Sequence, residues 1–221
     1  MNDDQLNDCD SEDIDDILKQ VEKSFSIRFG EYELQHIATF GELCDIIVSK
    51  IRLRNSHDCT SQQAFYKLRQ ALLAVVPGHV IAPGTELAVL LPYGKRKKKW
   101  RLVERKLGFK LAVVGISPTI RTVLFFAFLA SLAAFCVSAE VAGIGLSVST
   151  LAAVIASETG NTLQVATVRE CVEMTTRQNY LQPRRNSETF NRNEIARLVK
   201  ELFIKGLSIP AASLKPEAPF N

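Results

Sequence analysis

The sequence predicts an all-α protein: small helical bundle modules flanking a two-helix transmembrane hairpin. Three observations lead there. Apolar residues recur at helical spacing in four segments, capping signals mark helix starts, and a long stretch from Thr122 to Ser157 is almost free of charge.

That stretch, "TVLFFAFLASLAAFCVSAEVAGIGLSVSTLAAVIAS", contains no Lys, Arg, Asp, Asn or Gln, and its only charge is Glu140. One crossing of a bilayer takes about 20 apolar residues. The stretch is too long for one crossing and just long enough for two. Glu140, with Gly143 and Gly145, marks the turn, because a lone carboxylate prefers the interface to hydrocarbon. The expected helices run from Thr119 to Ala139 and from Val141 to Ser157. The competing reading buries the same hairpin inside a soluble helical core.

Charge sets the orientation. The net charge of +3 conceals segregation: eight carboxylates and no base from Asp3 to Asp16, then nine bases against Glu104 alone from Lys95 to Lys110. The basic run "KRKKKWRLVERK" precedes the apolar stretch, and Arg169, Arg177, Arg184 and Arg185 follow it. Bases on both flanks predict that both soluble ends, and so both termini, lie on the cytoplasmic side of a membrane. In a bacterium that is the inner membrane. Trp100 is expected to anchor at headgroup level, and the run itself to attract anionic lipid rather than nucleic acid.

The soluble segments read as helices. Ile14, Ile17, Leu18, Val21 and Phe25 form one apolar face, and Phe40, Leu43, Cys44, Ile47, Val48 and Ile51 a second. Ala64, Leu68, Ala71, Leu72 and Val75 form a third, and Ile195, Leu198, Val199, Leu202 and Phe203 a fourth. Capping boxes are expected at Thr39/Glu42, Thr60/Gln63, Thr167/Glu170 and Asn191/Glu194, each joining a capping oxygen to a Glu or Gln three residues on. The chain also repeats itself. "IATFGELCDIIVSKI" resembles "VATVRECVEMTTRQN", and "VIAPGTEL" resembles "SLKPEAPF", aligning Pro83 with Pro216. A capped helix and a proline-marked loop therefore occur on each side of the hairpin.

Little here points to a reaction. Five scattered cysteines without CxxC spacing suit reduced thiols, with Cys44 and Cys136 expected to be buried. His57-Asp58-Cys59 has no second cluster to complete a metal site. No phosphate loop or nucleophile–base pattern occurs, so neither catalytic nor metal-binding residues are expected, and the protein is read as no enzyme.

The segments together resemble an acyl carrier protein, the four-helix module that bears 4′-phosphopantetheine on a serine at the start of its second helix. Asp10-Ser11, Phe25, Ile37 and Thr39-Phe40 follow the order of that family's prosthetic motif and later helix. "NEIARLVKELFIKGLSIPAASLKPEAPFN", from Asn193 to Asn221, resembles the family's first helix and loop. The order is permuted, and Glu12 stands where the family has Leu. The resemblance implies Ser11 as the attachment site of 4′-phosphopantetheine; without it, Ser11 reads as an N-cap, which is the reading favoured here. No cofactor is otherwise expected.

The expected organisation is an N-terminal carrier-like module over 1–92, a basic juxtamembrane linker over 93–118, the hairpin over 119–157 and carrier-like helices over 158–221. The function expected is a membrane-anchored scaffold or recruitment protein that contacts the lipid bilayer and an unidentified protein partner. Two alternatives stand beside it: a working carrier loaded on Ser11, and a homo-oligomer joined through small hairpin residues such as Ala130, Ser131, Ala134, Gly143 and Gly145.

Overall fold

The computed structural model describes residues 10–136 and 138–219. In chain order the elements are α1 (Ser11–Phe25), α2 (Phe40–Lys50), β1 (Arg54–Asn55), α3 (Thr60–Val75), α4 (Leu87–Leu90), α5 (Arg96–Leu107) and β2 (Val114–Gly115). They continue with α6 (Pro118–Ala133), α7 (Ala139–Thr159), β3 (Thr162–Leu163), α8 (Val168–Gln178), β4 (Thr189–Phe190) and α9 (Arg192–Leu207). The all-α expectation holds; the strands are two-residue clasps.

Local chemistry accounts for the helix limits. The Asp10 carboxylate accepts from the Glu12 N–H at 3.2 Å and starts α1, which ends at Ser26 in the left-handed region (φ 54°). At α2 the expected box forms: Thr39 Oγ1 accepts from the Glu42 N–H at 3.3 Å, and Glu42 accepts from the Ala38 N–H at 2.8 Å. The first bond satisfies an N–H that the first turn leaves without a helical partner, and in the second Glu42 reaches one residue past the Thr39 cap.

The chain divides into two units, one joining the residues up to Leu68 with those from Val172 onward, the other running from Arg69 to Cys171. In the first, the N- and C-terminal segments share a single core. Ile17, Val21 and Phe25 of α1, Leu43 and Ile47 of α2, and Ile195, Leu198, Leu202 and Phe203 of α9 all belong to it. Phe40 meets Phe203 edge-on at 5.6 Å, and Phe25 meets Tyr180 at 5.3 Å. A Cβ on Gly206 would lie 2.6 Å from the buried Ile17 side chain. This glycine, which costs a helix interior about 1 kcal/mol relative to alanine, therefore permits the close approach of α9 to α1. Strand β1 pairs in parallel with β4, Arg54 opposite Thr189 and Asn55 opposite Phe190.

A buried polar cluster ties the same segments together. The Arg184 guanidinium donates to Thr60 Oγ1 and, at 3.2 Å, to Thr189 Oγ1, and lies 3.8 Å from the Glu194 carboxylate. Glu194 accepts from the Thr60 N–H at 3.0 Å and from the Tyr180 hydroxyl at 3.1 Å. Tyr180 in turn accepts from the Asn191 N–H at 2.8 Å. Burial pushes the Tyr180 phenol above its ordinary range, so it remains a neutral donor.

This cluster corrects two of the four expected capping boxes. Thr60 is the first residue of α3, not its cap, and Glu194 of α9 supplies the carboxylate there. At α9, Asn191 Oδ1 accepts from the Asn193 N–H at 3.0 Å, while Tyr180 takes the N–H that the box would have given to Glu194. A tertiary carboxylate replaces the local Gln63 amide at α3, and a tertiary hydroxyl replaces the local Glu194 carboxylate at α9.

In the second unit the Thr167/Glu170 box does form, with Thr167 Oγ1 accepting from the Glu170 N–H at 3.2 Å and Glu170 accepting from the Ala166 N–H at 2.9 Å. The repeat now becomes physical. Pro83 and Thr85 carbonyls accept from the Arg169 and Val168 N–H groups at 2.8 and 3.0 Å. In the first unit the Pro216 and Ala218 carbonyls accept from Gly41 and Phe40 at 2.8 and 2.9 Å. Each capped helix thus receives the proline loop of the other copy.

These two units are divided differently from the domain limits expected from the sequence. Residues 69–92 fall in the same unit as the hairpin, and within 93–118 the chain forms α5 and β2, with α5 burying Trp100, Val103 and Leu107. Trp100 is only 3% exposed, with its indole N–H donating to the Leu111 carbonyl at 3.0 Å. It is a core residue and not a headgroup anchor.

Removing one member of a buried charged pair leaves the other uncompensated, typically at about 3–5 kcal/mol. Arg184→Met should therefore destabilise the first unit by about that amount in denaturant titration. Arg184→Met combined with Glu194→Leu should cost less than Arg184→Met alone, which a double-mutant cycle checks.

Candidate functional site

The apolar hairpin and its base form the most distinctive site. Helix α6 is preceded by Ser117, whose Oγ accepts from the Ile120 N–H at 3.4 Å, and has Pro118 at its first position. With the short 3-10 turn after it, the first apolar helix covers Pro118–Cys136, 19 residues; the second, α7, has 21. At 1.5 Å per residue each is about 30 Å long, the thickness of a bilayer's hydrocarbon core. Both are long and apolar enough to cross a membrane.

The hairpin's outer face is apolar and open: Val123, Phe126, Val148 and Leu151 are each about 60% exposed. The first apolar helix has none of its span buried, which removes the reading of a hairpin hidden in a soluble core. The break falls one step earlier than expected. Glu140 lies in the first turn of α7, where a carboxylate complements the helix dipole, and Gly143 and Gly145 lie inside that helix. Gly145 serves close packing: a Cβ there would meet Ser131 Oγ at 2.7 Å. Cys136 is exposed beside the break, against the expectation of a buried thiol, because its apolar neighbours face outward. Cys44 is buried as expected, and desolvation, with Asp45 nearby, pushes its thiol up to about 12.

The open end of the hairpin is clamped. Strands β2 and β3 pair antiparallel, Val114 opposite Leu163 and Gly115 opposite Thr162. The basic helix α5 then closes the end of α7. Lys97 Nζ donates to the Ser157 and Glu158 carbonyls at 2.5 and 2.6 Å, supplying cationic donors to a helix C-terminus that has no further turn. Arg96 donates to the Asn161 carbonyl at 2.7 Å, and Arg101 pairs with Glu158 at 2.7 Å. The basic run and the apolar stretch are legible in the sequence but this clamp is not; Asn161 and Glu158, polar residues just past an apolar run, are its available signal.

Ser11 is the first residue of α1, exposed, with Asp10 before it as the cap. The N-cap reading of Ser11 is therefore corrected. Two of the helix's first N–H groups, those of Asp13 and Ile14, bond the Asp10 carbonyl at 3.1 and 3.2 Å, and that of Glu12 bonds its side chain. The exposed neighbours Asp10, Glu12 and Asp13 are carboxylates, and Lys19, the next base along α1, is paired with Asp16 at 2.9 Å. The hydroxyl is accessible, but its surroundings do not fit a phosphodiester. Among the described residues, no three metal-ligating side chains converge.

Comparison with family models, with curated proteins and with solved structures finds no match.

A Cβ on Gly160 would lie 2.8–2.9 Å from backbone atoms of Gly115 and Ile116, where no side chain can yield. Gly160→Ala should cost about 1–3 kcal/mol, as overpacking does, and lower the melting temperature in detergent. Gly143→Ala, which meets nothing within 4 Å and lies inside α7, should leave it unchanged or raise it slightly.

Proposed function

We propose that this chain is a membrane-anchored, non-enzymatic scaffold or recruitment protein, with its hairpin in the bilayer and its carrier-like helical bundle on the cytoplasmic side. The observation that carries this reading is the outward apolar face of two adjacent bilayer-length helices, clamped at one end by a basic helix. An exposed apolar surface of that length needs a cover, and lipid supplies one over the whole face. The bases of α5 beside the open end support a cytoplasmic location for that end, by the positive-inside bias. Pairing of α1 and α2 with α9 supports a carrier-like module whose order is permuted, since the segments that resemble its parts share one core.

Single-thiol labelling on sealed vesicles tests the anchor. In a Cys9→Ser background, Cys59 should react with an impermeant maleimide from the cytoplasmic side, and Cys136 only from the opposite side or after permeabilisation. Alkaline carbonate should leave the chain in the membrane. Labelling of both thiols from one side, or release by carbonate, overturns the reading.

The working-carrier alternative makes a different demand. Because carboxylates surround Ser11, intact mass after co-expression with a broad-specificity phosphopantetheinyl transferase should show no added group. A phosphopantetheine adduct lost in Ser11→Ala would establish the carrier instead. The oligomer alternative has less to work with, as Gly145 and Ser131 are already spent on the contact between α6 and α7.

A further inference from the structure

We propose that the cleft between α5 and the end of α7 is a binding site for the phosphate headgroup of an anionic glycerophospholipid. The inference rests on the anchored reading above and adds a defined site and ligand class to it.

The cleft has a volume of about 620 Å³, and its lining includes Lys98, Arg101, Arg105, Thr159 and Asn161. Lys98, Arg101 and Arg105 fall at i, i+3 and i+7, one stripe of α5, opposite the buried stripe of Trp100, Val103 and Leu107. Burial of the tryptophan face therefore turns this basic stripe toward the cleft. Within it, Glu158 is engaged by Arg101 at 2.7 Å and Lys97 at 3.9 Å. Lys98 and Arg105 have no carboxylate partner among the described residues. The site thus keeps an excess of positive charge and carries guanidinium donors, which match phosphate geometry.

Position selects the lipid over a soluble phosphate. Lys97 sits on the last carbonyls of α7, where its apolar span ends, so the cleft lies at the depth of the headgroups once the hairpin is in the bilayer. Asn161 Oδ1 accepts from the Lys97 N–H at 3.2 Å, which leaves its amide N–H groups as further donors for a phosphate oxygen. A zwitterionic headgroup brings its own cation and gains less from this excess.

The test uses the full chain in nanodiscs of phosphatidylcholine with a minority of phosphatidylglycerol, with retained lipid counted by native mass spectrometry. Phosphatidylglycerol should be enriched on the protein. Lys98→Glu with Arg105→Glu should cut that enrichment roughly tenfold or more, through loss of charge-assisted hydrogen bonds to the phosphate. Lys99→Glu with Lys106→Glu changes the same charge on another stripe of α5 and should leave the enrichment largely intact. Equal loss in both pairs, or no enrichment, overturns the site. So does displacement of bound phosphatidylglycerol by inorganic phosphate or by an RNA oligonucleotide at equimolar level, which would assign the cleft to that ligand. Failure of the chain to enter phosphatidylcholine discs at all would instead defeat the anchor itself, so the two failures are distinguishable.

Discussion

The packing of α1 and α2 against α9 governs the path of the chain. Those helices come from opposite ends of the described sequence yet bury one set of apolar side chains, with Val21, Leu43, Ile47, Ile195 and Phe203 essentially without exposure. A full burial of each such side chain contributes about 1.5–3 kcal/mol, so separating the two ends would forfeit the whole core. Everything between them has to depart and come back. The hairpin meets that condition, because the chain doubles back between α6 and α7 and β2 pairs antiparallel with β3 at its base.

The repeat shows how the same local device serves both units. A threonine-capped helix offers its first two N–H groups, and a proline-led loop supplies the carbonyls, at distances that agree within about 0.1 Å between Gly41–Pro216 and Arg169–Pro83. The loops are exchanged: the one after α3 serves α8, and the one after α9 serves α2. In neither half of the sequence does the loop serve the helix start of its own copy. That exchange binds the two halves into one folding problem, with β1 and β4 and the Arg184 cluster adding long-range contacts to the first unit. Such contacts form late and slowly, because loop closure must precede them.

Most of the fold was legible in the sequence, for physical reasons that differ by element. The stripes of α1, α2 and α9 follow from helical periodicity, and Thr39 and Thr167 cap as their spacing predicts. What escaped was decided by tertiary partners. Thr60 and Glu194 each carried a valid local signal, yet Glu194 caps a different helix because a buried arginine draws the cluster together. Trp100 lay in a basic run and was expected at a headgroup; its periodicity with Val103 and Leu107, read as a core face, would have placed it correctly. Cys136 shows the limit of composition, since an apolar neighbourhood can face outward as readily as into a core. Around Ser11 the carboxylates were visible in the sequence, and the structure adds that Asp10 already occupies the cap.

Native-state hydrogen exchange on the full chain, repeated after deletion of residues 193–219, tests most directly whether the two ends make one bundle. Amides of α1, α2 and α9 should open with one common free energy in the intact chain, and deletion should remove the protection of α1 and α2. Undiminished protection of α1 and α2 without α9 would contradict the shared core on which the account rests.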